Sequence, residues 1–160
     1  MEFTLSKPGS SLGQRWMNIA ALLGWCFVIS HVVTVAVTCA VEGFNWGINA
    51  WVLDVAGFLA GLFFSIQCRL SSRSRPGDFR SGNLWILIWA IITVIFRVVD
   101  TLMLFGVLKW SVIYTTPEGA VLGANVISEV IFGMAFAMTA LVAAIMLLAS
   151  KTDPKSVREN

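Results

Sequence analysis

Five residues could hold or move charge inside an otherwise apolar chain: His31, Asp54, Arg97, Asp100 and Glu129. Arg97 and Asp100 lie near the middle of 83–108, NLWILIWAIITVIFRVVDTLMLFGVL, a run apolar and long enough to cross a bilayer. A charge at the centre of a lone membrane helix costs about 3 kcal/mol or more, so both residues need partners. Their i,i+3 spacing puts them on one helix face, where each can neutralise the other. Thr93 and Thr101 extend that face into a polar line. The plainest role for such a pair is to fix helix packing and nothing more.

The other apolar runs each carry a polar group as well. His31 is followed by Thr34 and Thr38, Asp54 stands alone, and Asn125 precedes Glu129 by one helical turn. Acids with a histidine in an apolar setting suit a proton or cation relay, or acid–base work in a closed cavity. If every carboxylate ionises, Asp54, Asp100 and Glu129 outnumber Arg97. A low-dielectric site balances this by protonating an acid or His31, by binding a cation, or by pairing with another subunit.

No nucleophile motif, HExxH or paired metal ligands occur, so no catalytic residue, metal or cofactor is assigned. His31 is the sole histidine, which excludes haem held by two histidines of one chain. Cys26, Cys39 and Cys68 are widely spaced without CxxC and read as small apolar packing residues.

Four long apolar runs must position these groups. Of 160 residues, 58% are hydrophobic and 12% charged, and mean hydropathy is +0.82. The charged share is about half that of a soluble domain. A net charge of +2 without a basic stripe argues against nucleic acid. The spans are expected at about 16–41, 46–68, 83–108 and 121–150, joined by short connections and a polar loop at 69–82. The runs are too long and continuous for barrel strands. The first reads as a retained span rather than a cleaved leader. The expected fold is all-α, an integral membrane four-helix bundle forming a single domain over 1–160.

Lys7, Arg15, Arg69, Arg73, Arg75, Arg80, Lys151, Lys155 and Arg158 flank one side of these spans, and Lys109 the other. The positive-inside bias then places both termini and the 69–82 loop in the cytoplasm. Trp16 and Trp85 fall at the inner interface, with Trp46, Trp110 and Tyr114 at the outer one. The membrane expected is a plasma or bacterial inner membrane.

Counting from the cytoplasmic end of each span puts His31 and Asp54 ~22 Å deep, Arg97 ~20 Å, Asp100 ~24 Å and Glu129 ~30 Å. The polar groups thus form a layer in the outer half. Small residues share their faces: Gly57, Gly61 and Ser65 with Asp54, and Gly133 and Ala137 with Glu129. Ala20 and Gly24 share a face with His31. Such strips let membrane helices approach closely.

Three functions fit. The first is a non-catalytic subunit or assembly partner of a larger membrane complex. The second is a small oligomeric transporter or channel coupled to protons or cations. The third is a membrane enzyme or a lipid or sterol pocket using His31, Asp54 and Glu129. Expected partners are membrane lipid and either another protein or further copies of this chain.

Overall fold

The computed structural model describes residues 11–42, 48–75, 78–104 and 124–150. Four helices account for nearly all of them: α1 Leu12–Glu42, α2 Ile48–Arg73, α3 Arg80–Leu104 and α4 Ala124–Ala149. All four are long and apolar enough to cross a membrane, and no strand occurs among the described residues. Trp46, Lys109, Trp110, Tyr114 and both tails lie outside the described residues, as do the side chains of Thr38, Asp100 and Asn125.

At the end that carries residues 74–79, α1, α2 and α3 extend beyond the apolar runs. α1 begins four residues earlier than hydropathy alone suggests, because Ser11-Leu12-Gly13-Gln14 is a reciprocal cap. The Gln14 amide N–H donates to Ser11 Oγ at 3.3 Å, and the Ser11 amide donates to Gln14 Oε1 at 2.7 Å. α2 continues through Arg69–Arg73, so the polar loop expected at 69–82 contracts to 74–79. Arg73 lies in the final turn, where a cation meets the negative end of the helix dipole.

Contacts between helices run in opposite directions along the chain, so sequential neighbours are antiparallel. Gln14 meets Ser74, Asn18 meets Arg69 and Phe27 meets Gly61, which sets α1 against α2. Gly13 meets Leu147, Gly24 meets Phe136 and Ser30 meets Ser128, which sets α1 against α4. Stacking of Phe64 on Trp89 joins α2 to α3, and Trp89 against Phe136 joins α3 to α4. α1 packs extensively on α2 and α4, and α3 on α4, while α2 and α3 touch over a much smaller area.

The interior is built from small groups. Ala20, Ala21, Ala90, Ala137, Ala140, Ala143 and Ala144 are almost fully buried around Met17, Ile86, Cys68 and Phe136. Large Leu, Ile, Val and Phe side chains point outward from every helix. This distribution suits helices whose outer faces meet hydrocarbon and whose inner faces must come close. A Cβ at Gly24 would overlap Ser65 Oγ and lie 2.8 Å from the Phe136 ring.

The small-residue strips are partly as expected. Gly61 and Ser65 lie in the α1–α2 contact, and Gly133 and Ala137 in the α4 contacts. Gly57 does not: it is exposed, and a Cβ there would meet nothing within 4 Å. At that level Phe58 faces α1, and the residue before it is rotated about 100° around the helix.

Candidate functional site: a charge chain across the bundle

Each helix brings one ionisable side chain to the same level. His31 is 19 residues from the Leu12 end of α1, and Asp54 is 19 from the Arg73 end of α2. Arg97 is 17 from Arg80, and Glu129 is 20 from Ala149. All therefore lie about 26–30 Å from the bundle end that carries the 74–79 turn. The shallower depths expected for His31, Asp54 and Arg97 came from helix starts placed three to five residues too far in.

His31 is the centre of the group. Its side chain is 7% exposed, and its two ring nitrogens face opposite carboxylates. Nδ1 is 3.0 Å from Glu129 Oε1, a hydrogen bond across α1 and α4. Nε2 is 3.5 Å from Asp54 Oδ1 on α2, within ion-pair range. That nitrogen is enclosed and makes no hydrogen bond. Proximity without hydrogen-bond geometry describes this second contact, so the Asp54 side is the looser one.

Arg97 completes the chain from α3. Its Nη2 lies 4.0 Å from Glu129 Oε1, the same oxygen that His31 engages. Its guanidinium carbon sits 5.2 Å from the centre of the Phe27 ring, a cation–π distance. A Cβ at Gly133 would come within 2.9 Å of Arg97 Nε, so glycine leaves room for the arginine to cross α4. Asp54, His31, Glu129 and Arg97 thus follow the packing order α2, α1, α4, α3. Asp100 continues α3, and its side chain lies outside the described residues.

Two phenylalanine rings lie near the imidazole. The Phe27 and Phe58 rings each lie 5.9 Å from its centre, tilted by 43° and 27°. Composition drew no attention to either phenylalanine. Both carry a spacing signal: Phe27 is four before His31, and Phe58 four after Asp54, so each shares its partner's helix face. Ser30 and Ser128 were likewise missed; their hydroxyls are 2.7 Å apart and tie α1 to α4 beside the histidine.

One side of the site is open. A groove of ≈ 660 Å³ runs between α1 and α2 from His31, Asp54 and Phe58 toward Ala40 and Trp51. Asp54 is a quarter exposed, whereas Glu129 is 14% exposed. Among the described residues, no three His, Cys, Asp or Glu side chains are arranged to hold a metal ion.

The charges of the four groups are arithmetically simple. With a doubly protonated imidazole, two cations face two carboxylates. Loss of one proton leaves a net charge of −1. Comparison with known protein families, curated proteins and solved structures finds no match for this chain.

Proposed function

We propose that this protein is an integral membrane bundle that moves protons, or a cation against protons, through Asp54, His31 and Glu129, with Arg97 as the fixed charge beside Glu129. The observation that carries this reading is the imidazole with a carboxylate at each nitrogen, one inside the bundle and one at an open groove. A purely structural network would be expected to satisfy every buried polar atom, and His31 Nε2 has no hydrogen bond.

Proton movement requires only these groups. A proton delivered by the Asp54 carboxyl to Nε2 gives the imidazolium. Release of the Nδ1 proton to Glu129 leaves the other neutral tautomer. The cycle closes when the ring rotates back to its first tautomer, Glu129 releases its proton to the far side and Asp54 takes another from the groove. Arg97 sets a fixed positive charge 4.0 Å from the Glu129 oxygen that faces the ring.

The positive-inside bias places the 74–79 turn in the cytoplasm and Trp16 and Trp85 at the inner interface. Both tryptophans are exposed at that end, at 40% and 63%. The charge chain then lies in the outer half of the bilayer, in a plasma or bacterial inner membrane.

The test is reconstitution into liposomes enclosing a pH-sensitive dye, with a potassium diffusion potential as driving force. Acidification above that of protein-free vesicles, lost in His31→Phe, supports the reading. Parent protein that inserts but leaves the dye unchanged overturns it.

A second reading, an assembly partner in a larger membrane complex, draws on a different observation. The apolar window of α3 is 17% buried, the least of the four. Its Ile88, Ile91, Ile95 and Phe96 face outward and could meet another protein. A foreign chain at fixed stoichiometry after purification in mild detergent would favour it.

A further inference from the structure

We infer that the α1–α2 groove is a binding site for a small hydrophobic amine, with the ammonium on Asp54 and the apolar body lying toward Trp51. The inference deepens the proton-handling reading, on which it rests for the exchange of charge alone.

The groove has the size of a small-molecule pocket, ≈ 660 Å³. From His31 to Ala40 it spans nine residues of α1, about 14 Å at 1.5 Å per residue. Val35, Ala36, Cys39, Trp51 and Val55 make its walls apolar. The charge is confined to the end formed by His31 and Asp54. A phospholipid has the opposite polarity along this axis, because its headgroup belongs at the interface and its chains in the interior. The shape therefore asks for an apolar body with a single polar group at its buried end.

The sign of that group follows from what faces it. Asp54 from α2 lies 3.5 Å from Nε2, an enclosed nitrogen of a residue 6% exposed that makes no hydrogen bond. Glu129 from α4 occupies the other ring nitrogen, and Arg97 from α3 lies beyond Glu129. Asp100 follows Arg97 on α3. When the imidazole is neutral, Asp54 is the carboxylate without a cation at its side. A ligand ammonium on the groove side of Asp54 supplies that cation.

The amine and the second imidazole proton then do the same electrostatic work at Asp54, so they compete. Binding of the amine expels the proton, and protonation expels the amine. The reciprocity is thermodynamic and needs no conformational change.

Purified protein in nanodiscs, titrated with the fluorescent probe 1-naphthylmethylamine, tests this. The expected result is saturable binding that weakens by roughly tenfold or more in Asp54→Asn. About one proton per bound amine should be released into weakly buffered solution. The neutral isostere 1-naphthylmethanol should bind far more weakly. Val35→Trp, which fills the groove and leaves Asp54 intact, should abolish binding while helix content and elution volume stay as in the parent.

Equal binding of amine and alcohol, or binding untouched by Asp54→Asn and Val35→Trp, overturns the inference. So does a phospholipid or second copy of the chain that stays in the groove and is not displaced by the amine. Proton flux in liposomes without amine binding would defeat this inference alone. Amine binding without flux would defeat the relay alone.

Discussion

At the end of the bundle that carries the 74–79 turn, Ser71 and Asn83 are 3% and 5% exposed, and the serine hydroxyl donates to the asparagine carbonyl. Gln14 donates to the Ser74 carbonyl at 2.6 Å, and Arg69 to Asn18. The buried members of that cluster are neutral and directly bonded. About 28 Å away along the helices, four ionisable groups form a chain with one loose link and an open side. The first arrangement locks helices together. The second leaves His31 Nε2 without a hydrogen bond beside an open groove, the feature on which the proposed relay rests. Burial of polar groups alone therefore does not separate scaffold from site; satisfaction and access do.

The largest effect on this contrast should come from Glu129→Leu. It leaves Arg97 and His31 without their shared acid, and removing one partner of a buried charge pair costs about 3–5 kcal/mol. Thermal unfolding in detergent measures it, and adding Arg97→Leu should recover part of the loss. Asn83→Ala at the turn end should cost less, about 1–3 kcal/mol for a buried hydroxyl left without its acceptor. It should leave proton flux unchanged. If Asn83→Ala proves the more damaging of the two, the charge chain is not holding the helices as described.

Two glycines sharpen the comparison at smaller scale. Gly57→Ala enters open space and removes backbone freedom, so it should stabilise by up to about 1 kcal/mol. Gly133→Ala pushes on Arg97 Nε and should destabilise despite the same gain in helix propensity. The smallest stability effect is expected from Asp54→Asn, below about 1 kcal/mol, because the side chain is partly exposed and only loosely paired. The same substitution should nonetheless remove proton flux. Flux that persists in Asp54→Asn would move the uptake point elsewhere.

Much of the architecture was legible in the sequence. Long apolar runs without internal Pro or charge clusters marked four helices. Helix ends were less legible, because hydropathy reports where a helix is oily rather than where it stops. The Ser11–Gln14 cap was readable in principle, and it alone would have moved His31 deeper. The exposure of Gly57 could not be read, since a three- or four-residue spacing tolerates drift around the helix and the partner decides where contact ends.

What the sequence determined by itself is the set of helices and the need for their polar residues to find partners. Both follow from local properties: apolar length, propensity, and the cost of charge in oil. Only the tertiary structure decided the pairing. It joined His31 to Glu129 across 98 positions of the chain, set Asp54 at a groove, and passed Arg97 over Gly133. The rotation and register of packed helices set those distances, and they depend on every small and large side chain along each interface at once.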